Sequence, residues 1–583
     1  MNQEQKDKSI NKLISLFTNG KIEECKREAS KALEIYPNEP FLFNLLGVTH
    51  AETSLFEEAV VYYKKAINLN SEYFEVYNNM GVAYTNWGKP ELAIESLRQA
   101  IKLNPNYAEA FNNLGNSQKE LSDFEGAIKS YEKAIEIDSS YIDALCNLGI
   151  VLGVLERYLK AEEVYKNALS LDPESFKINY HYAYNLYYQS SYDKAAELAF
   201  NILEQNRSDP DLNNLVGNIL QKKGKGRALR YFRRALENIE RKDVTVNNIG
   251  TFFYEKRKLN LAIYFFCKAI ALNDYNSESH INLAYSLLLK KYFSLGWEKH
   301  EYRWNVDPLK KITWPIKNRE LWSGQKDKRI VLWREQGIGD DILFLGLVPE
   351  VYQRSKSVIV YTLKRLIPLC KRKMPGVVFK QYMGKFDDGE VFDYHLPMGS
   401  LPRLFRNSEK DFDRTTKGYL QADPERVELL RDELGLRGKK VIGISWKSFN
   451  SMNNLKKSLT LMDFKKIFKD LDITLVNLQY GDVEKEIREF KNETGIDVLQ
   501  CASVDNRQDL DGLAALIEMC DLVVSTSNVT IHLAGAIAKE TWVLLPYFSM
   551  FWWLLDRTDS IWYPSLKLYR QKKSGDWDFP IKD

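Results

Sequence analysis

Two glycines followed at once by two carboxylates form the stretch of this sequence that is best suited to chemistry. Gly337, Gly339, Asp340 and Asp341 come after an apolar run at 330–332 and before an amphipathic segment. This order predicts a strand, a tight glycine turn and a helix. The positive end of the helix dipole keeps an aspartate in the first turn ionised. An ionised carboxylate at such a position can act as a general base.

The same turn could instead bind a dinucleotide, but two features argue against this role. The dinucleotide fingerprint has a third glycine where Ile342 stands, and the two carboxylates crowd the place of the pyrophosphate. Another alternative is that Asp340 or Asp341 only caps the helix, which is a common role of aspartate. We favour the role of base for Asp340 and the role of cap for Asp341.

Composition narrows the class of protein. The chain has 583 residues, which implies more than one domain, and 44% of them are hydrophobic. The 82 basic and 79 acidic residues give a net charge of +3, which does not suggest a nucleic-acid partner. The N-terminus lacks the apolar core of a signal peptide, and no apolar run approaches the roughly 20 residues that span a bilayer. We therefore expect a cytoplasmic protein without a membrane span, with no metal site and no cofactor.

The first half of the chain is a repeat array with a period of 34 residues. One residue is dropped from the period before Gly250. The first series of small residues is Gly47, Gly81, Gly115, Gly149, Ala183, Gly217, Gly250 and Ala284. A second series keeps step with it at Ala59, Ala93, Ala127, Ala161, Ala195, Ala228 and Ala262. This pattern is the tetratricopeptide signature. It predicts a superhelix of antiparallel helix pairs from about Ser9 to about Lys290.

An asparagine stands two residues before several of these small residues. The series is Asn79, Asn113, Asn147, Asn248 and Asn282. We expect this position, on the first helix of each pair, to face the concave surface. A side-chain amide both donates and accepts hydrogen bonds, so it can bind the backbone of an extended acceptor peptide whatever its sequence. The alternative is that these amides cap or bridge neighbouring helices.

The second half alternates apolar strand candidates with helical patterns, which implies parallel sheets. Strand candidates of a first lobe lie at 329–333, 358–361, 377–379 and 392–396. Those of a second lobe lie at 441–446, 473–479, 521–525 and 541–546, with helices at 507–519 and 528–537. The predicted fold class is an α-solenoid followed by an α/β region, with two Rossmann-like lobes that face a cleft.

Four domains follow from these patterns: a repeat array at 1–296, a junction at 297–327, a first lobe at 328–423 and a second lobe at 424–583. The junction contains Trp297, Trp304, Trp314 and Trp322. A flexible linker would be rich in glycine and serine. The aromatic junction is therefore predicted to pack the array rigidly against the lobes.

The second lobe offers groups that could hold a diphosphate. Ligands of open parallel sheets bind beyond the carboxyl ends of the strands. The helix predicted to begin near Asn528 presents its N–H groups and its dipole there, which makes an anion site. Further candidates near strand ends or on this helix are Ser445, Lys447, Ser458, Gln479, Ser527 and His532. Lys456 and Lys457 lie on the same loop as Ser458. Each candidate lysine could also be solvated, and His532 could be a buried helix residue.

Several motifs resemble known glycosyltransferases. The turn Gly337–Asp340 resembles the glycine-aspartate loop of the heptosyltransferases, and Ser525–Ala536 resembles their nucleotide-sugar motif. The segment Trp542–Gln571 resembles the C-terminal signature of bacterial tetratricopeptide glycosyltransferases. The asparagine series is similar to that of O-linked N-acetylglucosamine transferase. Together these resemblances cover about 9–583.

The resemblance implies a GT-B glycosyltransferase that inverts the sugar without a metal, with Asp340 as base. It implies a nucleotide-sugar site that includes Gly337 and Gly339 as well as the candidates of the second lobe. Heptosyltransferases have an acidic residue at the position of Ser527, so the contact with the donor sugar could differ. Ala538-Lys539-Glu540 also replaces their more usual Gly-Lys-Pro turn.

We expect a transferase that moves a sugar from a nucleotide-sugar donor to Ser or Thr of a protein, with the repeats binding the polypeptide. Flagellin is an acceptor that the resemblance suggests. One alternative is transfer to a lipid-linked or lipopolysaccharide acceptor. The other is a non-catalytic repeat scaffold with a decayed transferase domain.

Overall fold

The computed structural model describes residues 3–238, 240–306, 320–387, 389–415, 417–448, 458–468 and 471–582. The chain divides into two compact units, Met1–Glu240 and Arg241–Asp583. Trp314 of the predicted junction and the candidates Lys456 and Lys457 lie outside the described residues.

The first unit consists of helices in antiparallel pairs. They are α1 (Gln3–Thr18), α2 (Ile22–Ile35), α3 (Pro40–Glu52), α4 (Phe56–Leu69), α5 (Phe74–Asn86), α6 (Pro90–Leu103), α7 (Ala108–Glu120), α8 (Phe124–Ile137), α9 (Ile142–Val154), α10 (Tyr158–Leu171), α11 (Phe176–Tyr188), α12 (Tyr192–Gln205), α13 (Pro210–Lys222) and α14 (Ala228–Asn238). The predicted solenoid of helix pairs is confirmed.

The small residues of the two series lie where the helices of a pair cross. A Cβ atom on Gly115 would come within 2.5 Å of the ring of Tyr131, and one on Gly149 within 2.6 Å of the ring of Tyr165. Ala127 and Ala161 are fully buried. The large ring of one helix therefore fills the space that glycine leaves on the other, which explains why the period appears so clearly in the sequence.

The second unit begins inside the repeat array. Its first helices, α15 (Lys242–Glu255), α16 (Leu259–Leu272), α17 (Ser277–Leu289) and α18 (Phe293–His300), continue the pairs, and a 3₁₀ turn follows at Glu301–Asn305. Trp297 is 1% exposed and Trp322 is fully buried. Trp297 Nε1 donates a 2.8 Å hydrogen bond to the carbonyl of Arg406. These last helices thus pack against the α/β part of the same unit.

The first lobe is a sheet of four parallel strands in the order β3-β2-β1-β4. The strands are β1 (Arg329–Trp333), β2 (Ser357–Thr362), β3 (Val378–Gln381) and β4 (Tyr394–Pro397). The helices are α19 (Ile338–Leu345), α20 (Val348–Tyr352), α21 (Ile367–Lys373) and α22 (Leu401–Phe405), with 3₁₀ turns at Lys364–Leu366, Met398–Ser400 and Glu409–Arg414. All four strands overlap the predicted segments.

The second lobe is a parallel sheet in the order β10-β9-β8-β5-β6-β7. Its strands are β5 (Val441–Ser445), β6 (Thr474–Asn477), β7 (Val498–Leu499), β8 (Leu522–Thr526), β9 (Thr541–Leu545) and β10 (Leu566–Arg570). Its helices are α23 (Pro424–Glu433), α24 (Lys465–Phe468), α25 (Glu484–Thr494), α26 (Leu510–Met519), α27 (Val529–Ala536) and α28 (Asp578–Lys582). Further 3₁₀ turns lie at Leu461–Phe464 and Phe551–Trp553.

The strand order of the second lobe reverses between β5 and β8. Counted from β5, it is the 3-2-1-4-5-6 order of doubly wound folds, whose ligands bind at this reversal. The edge strands β7 and β10 were not among the predicted strands. β7 has only two residues, and in β10 the exposed Lys567 stands between the buried Leu566 and Leu568. Over the described part of the chain, no helix combines the length and the apolar character needed to cross a membrane.

Candidate functional site

The glycine turn of the first lobe follows β1 directly and begins α19. Gly337 is the N-cap residue of this helix, with φ of −69° and ψ of 166°. Asp340 and Asp341 lie in the first helical turn. Neither aspartate is therefore the N-cap residue, which makes the cap alternative wrong as stated for both. Their carboxylates still lie at the positive end of the helix dipole.

Asp341 is committed to an internal ion pair. Its side chain is 2% exposed and accepts a 2.5 Å hydrogen bond from Arg334 Nε. Arg334 also donates to the carbonyl of Gln336, so it ties the helix to the loop before it. Burial raises the pKa of Asp341 to about 7, although Arg334 opposes this shift. The role of Asp341 is thus to hold the turn in place.

Asp340, in contrast, is half-buried. Its charge acts on two phenols, that of Tyr285 on α17 and that of Tyr563. Burial, and then the charge of Asp340, raises the pKa of Tyr285 to about 12. Burial and neighbouring groups that include Tyr419 and Asp340 raise the pKa of Tyr563 well above its ordinary value. Asp340 is therefore near enough to Tyr285 of the last repeat helices and to Tyr563 of the second lobe for its charge to act on both phenols.

A buried polar network closes the first lobe between the ends of β1 and β4. Glu335 accepts hydrogen bonds from Arg303 Nη2 at 3.0 Å and from the backbone N–H of Gly399 at 3.1 Å. Arg303 also donates to Ser400 Oγ at 2.8 Å and to Glu301 at 2.6 Å. Burial raises the pKa of Glu335 to about 7. Protein side chains therefore occupy the place where a dinucleotide fold would admit its ligand.

The second lobe gathers its candidates at the reversal between β5 and β8. Asn528 is the N-cap residue of α27, and its Oδ1 accepts a 3.0 Å hydrogen bond from Thr530 N. Its Nδ2 donates to Ser445 Oγ at 2.7 Å and to the carbonyl of Lys447 at 3.2 Å. Asn528 thereby fixes the start of α27 to the loop that follows β5.

Gln479 organises the same loop from the end of β6. Its side chain is 1% exposed, and its Oε1 accepts hydrogen bonds from Ser445 Oγ, Trp446 N and Lys447 N at 3.0, 2.9 and 2.8 Å. An amide oxygen with three donors is a structural clamp. A contact between Gln479 and the base of a donor stays a prediction.

The remaining polar candidates are also engaged. Lys447 forms an ion pair with Glu486. Ser458 Oγ accepts a 3.2 Å hydrogen bond from Ser448 N. Ser527 Oγ accepts a 3.0 Å hydrogen bond from Trp553 Nε1. An anionic ligand would therefore compete with Glu486 for the ammonium group of Lys447.

The two lobes meet at Gly339 and His532. A Cβ atom on Gly339 would lie 3.3 Å from Cδ2 and 3.5 Å from Nε2 of His532, which is in the first turns of α27. His532 is 5% exposed, and its Nδ1 lies 3.0 Å from the phenol oxygen of Tyr563. A side chain at 339 would press on the imidazole, which would have to shift by a few tenths of an ångström.

The structure thus brings Gly339 of the first lobe against His532 of the second. It separately joins Ser445, Lys447, Gln479 and Asn528 in one network. Sequence reasoning missed Tyr563, Tyr419, Glu486 and Arg334, which hold these groups. Tyr563 lies in the C-terminal segment that resembles a transferase signature, but no local pattern states the contacts of these four residues, which arise only from the folded chain.

The asparagines of the repeats bridge neighbouring pairs. Within the first unit, Asn79, Asn113 and Asn147 donate through Nδ2 to Asn44, Asn78 and Asn112 of the preceding pair at 3.1, 2.9 and 3.0 Å. Within the second unit, Asn282 donates to Asn247 at 3.0 Å, and Asn248 is half-buried on α15. The bridging alternative therefore describes the amides of Asn79, Asn113, Asn147 and Asn282, and all five asparagines are half-buried.

Comparisons with known proteins agree with the repeat architecture. Family models described as "Tetratricopeptide repeat" match residues 74–107, 108–141 and 146–213, and one described as "TPR repeat" matches 56–88. Protein FlbA of Caulobacter vibrioides is 30% identical over 304 residues, which cover 48% of this chain and 50% of that protein. The chain thus spans about half the length of this curated relative.

Two solved structures illustrate the likeness. The crystal structure of MamA is 28% identical and covers 27% of this chain and 93% of its own, with a TM-score of 0.25. A tetratricopeptide repeat protein from Parabacteroides merdae is 16% identical and covers 42% of this chain and 98% of its own, with a TM-score of 0.38. The family models and the helix pairs establish that this protein carries tetratricopeptide repeats. Such repeats suggest a scaffold for protein interactions.

Proposed function

We propose that the protein is a glycosyltransferase that moves a sugar from a nucleotide-sugar donor to a serine or threonine of a polypeptide that the repeats bind. The observation that carries the proposal is the approach of Gly339 to His532. It joins the turn that bears a half-buried carboxylate to the N-terminal turns of a helix at the strand reversal of the second sheet. In this proposal the two lobes would face one cleft, as in the GT-B architecture.

The donor diphosphate would lie at the N-terminus of α27. The first N–H groups of a helix and its dipole stabilise an anion. Asn528 holds this terminus in place through Ser445, and Gln479 fixes the adjoining backbone of Lys447. This preorganised site would stabilise the charge that develops on the leaving diphosphate without a metal ion.

Asp340 would act as the general base. The acceptor hydroxyl gives its proton to the carboxylate, its oxygen attacks the anomeric carbon from the side opposite the diphosphate, and the bond to the diphosphate breaks with its electron pair. The configuration of the sugar is inverted. General-base catalysis of this kind contributes about 10²–10⁴-fold to a rate.

The repeats would choose the acceptor. Asn79, Asn113 and Asn147 of the first unit use an amide N–H for their bridges, and each Oδ1 can still accept from a peptide N–H. Asn248 and Asn282 would extend the series in the second unit. Flagellin is the first acceptor to test.

A non-catalytic scaffold is the second candidate, and Ser527 favours it. Ser527 stands where the heptosyltransferases have an acid, and its hydroxyl is held by Trp553. If a nucleotide sugar binds and no protein is modified, transfer to a lipid-linked acceptor becomes the candidate function.

Two measurements test the proposal. The unfolding midpoint of the full chain is measured with UDP-, ADP-, GDP- and CMP-sugars, and we expect one nucleotide to raise it. Flagellin is then co-expressed with the protein, and intact-mass analysis should show that flagellin has gained the mass of one or more sugars. Asp340→Asn should retain the nucleotide shift and lose the added mass. The absence of any shift across the panel would leave the scaffold as the function.

A further inference from the structure

A cationic groove of about 820 Å³ lies within the second unit, away from the strand reversal. It is formed by the turns of the last repeat pairs and by the segment that follows β9 and β10. The side chains that matter here are Arg257, Lys291, Asp556, Arg570, Gln571 and Lys572. In the sheet order β10-β9-β8-β5, the groove is at the β10 edge, two strands beyond β8.

The repeat pattern itself changes at this groove. The turn inside each helix pair has one residue with positive φ, at positions that follow the 34-residue period. In order these residues are Gly20, Ser54, Gly88, Ser122, Glu156, Ser190, Gly224, Arg257 and Lys291. Only the last two are cationic, although a long side chain gives no advantage in a left-handed turn. Both line the groove. This suggests that their charge is used there.

Three side chains that line the groove each have a buried donor without a partner. Within the described residues, Arg257 Nε, Arg570 Nε and Gln571 Nε2 are buried and have no hydrogen-bond partner. The other groups of these side chains are engaged: Arg257 donates to the carbonyl of Tyr547, Arg570 donates to that of Leu554 at 2.8 Å, and Gln571 Oε1 accepts from Tyr547 N at 3.0 Å. Buried donors without an acceptor are costly. These atoms are closed to water in this structure, so an oxygen-rich ligand would satisfy all three once the side chains turn toward the groove.

The charges of the groove do not cancel. Arg557 pairs with Glu409 and Asp559, and Lys291 pairs with Glu409. The charges that remain are three positive ones, from Arg257, Arg570 and Lys572, and one negative one, from Asp556. Burial, and then the charge of Arg257, lowers the pKa of Arg570 to about 10, so the two guanidinium groups act on each other. A dianion would balance the remaining charge.

We propose that this groove binds a phosphate group, either as inorganic phosphate or as the monoester of a small molecule. A phosphate monoester carries a charge of about −1.5 to −2 at pH 7 and three acceptor oxygens, which match the three donors and the unbalanced charge. Arg257 and Gln571 would bind the oxygens from the repeat side and the sheet side. The site is independent of the proposed transferase function, because it shares no residue with the proposed donor site at α27.

The probe is inorganic phosphate, added to the full chain at constant ionic strength set with potassium chloride. We expect phosphate to raise the unfolding midpoint and to give a saturable heat of binding by calorimetry. Arg257→Gln and Lys572→Gln should each weaken the affinity at least fivefold. Lys258→Gln, which removes an exposed cation next to Arg257, is the matched control and should leave the affinity unchanged.

Further binding measurements identify which phosphate compound is bound and whether it binds in this groove. A sugar 6-phosphate that binds tenfold more tightly than inorganic phosphate would identify a monoester. Tighter binding of inorganic phosphate would identify the free ion. A saturating nucleoside diphosphate should not displace phosphate if the groove is separate from α27. Equal affinity in the wild type and Arg257→Gln, a shift that potassium chloride reproduces, or loss of phosphate binding on adding the diphosphate would each overturn the proposal.

Discussion

The imidazole Nδ1 of His532 lies 3.0 Å from the phenol oxygen of Tyr563, and this contact has a direction. Tyr419 donates its hydroxyl proton to the carbonyl of Ile342 at 2.7 Å. The buried phenol of Tyr563 lies near enough to this oxygen to affect the pKa of Tyr419, so we expect the proton of Tyr563 to point to Tyr419. In that arrangement Nδ1 of His532 is the donor to Tyr563. In the neutral ring, Nε2 is left as the acceptor nitrogen, on the edge that faces Gly339.

Tyr563→Phe should remove the contact that keeps the proton of the neutral His532 ring on Nδ1. The phenylalanine keeps the ring but leaves Nδ1 of a 5% exposed histidine without its acceptor, which costs about 1–2 kcal/mol of stability. Nitrogen NMR of histidine-labelled protein should show protonated Nδ1 at His532 in the wild type and a mixture of tautomers in the variant. The resonance is assigned with His532→Gln. Tyr569→Phe on β10 removes a phenol elsewhere in the sheet and should leave the tautomer unchanged. A variant spectrum identical to that of the wild type would contradict the directed chain.

The two aspartates of α19 should respond differently to loss of charge. Asp340→Asn removes a half-buried carboxylate, so the free energy of unfolding should change by less than about 0.5 kcal/mol. Transfer of sugar should fall by about 10²–10⁴-fold. Asp341→Asn removes a 2% exposed carboxylate that pairs with the half-buried Arg334, which should cost about 1–2 kcal/mol.

Urea denaturation and the transfer assay on both variants separate these roles. Each variant serves as the control of the other, because the same chemical change is made at adjacent residues of one helical turn. Full transfer activity in Asp340→Asn would remove this residue as the base. An unchanged stability of Asp341→Asn would contradict the structural role of its ion pair.

The sequence predicts most of this fold because local signals carry it. Gly115 and Gly149 lie at helix crossings where a Cβ atom would collide with a tyrosine ring. The 34-residue period is therefore visible in the sequence. β1 has the predicted bounds because its run is apolar and a glycine turn follows. In β10, by contrast, the alternation of Leu566 and Leu568 with Lys567 gave too weak a signal to predict an edge strand.

The candidate site was less predictable than the fold. The types of Asn528 and His532 suggested an anion-binding helix start, and their places on α27 follow from that local motif. The clamp of Gln479 depends on β5 and β6 being neighbours, which no local pattern states. The support of His532 by Tyr563 joins residues 31 positions apart. Such contacts are properties of tertiary packing, so they emerge only from the folded chain.

Glu335 should make stability depend on pH. Burial raises its pKa to about 7 in the folded chain, whereas an unfolded glutamate has a pKa of about 4.3. The folded state therefore binds more protons, and the stabilisation is complete below about pH 4.3 and is lost as the pH rises through about 7. His300 acts in the opposite direction, because burial lowers its pKa. A variant that lacks only the carboxyl is thus needed.

Glu335→Gln provides that comparison, since the amide resembles the protonated acid and can still accept from Gly399. Relative to this variant, the wild type should lose about 1–3 kcal/mol of unfolding free energy between pH 5 and pH 8. Urea denaturation followed by tryptophan fluorescence at intervals of half a pH unit measures the difference. Asp387→Asn, a change at an exposed carboxylate with a lowered pKa, should not produce this decline. A relative stability that is constant over the range would contradict the raised pKa of Glu335.

Asn113 can separate acceptor binding from bridging. Asn113→Ala removes the 2.9 Å hydrogen bond to Asn78, and Asn116→Ala on the same helix removes the 2.8 Å hydrogen bond that Tyr131 donates. Each change should cost about 1 kcal/mol of stability, because each deletes one side-chain hydrogen bond. Only Asn113→Ala should weaken binding of an acceptor peptide, by about five- to tenfold, because Asn113 belongs to the repeating series and Asn116 does not. Fluorescence anisotropy with a labelled segment of the protein modified in co-expression measures the affinity. Equal affinities of the two variants would mean that the asparagine series only joins the repeats, and the acceptor would then be bound by other residues of the solenoid.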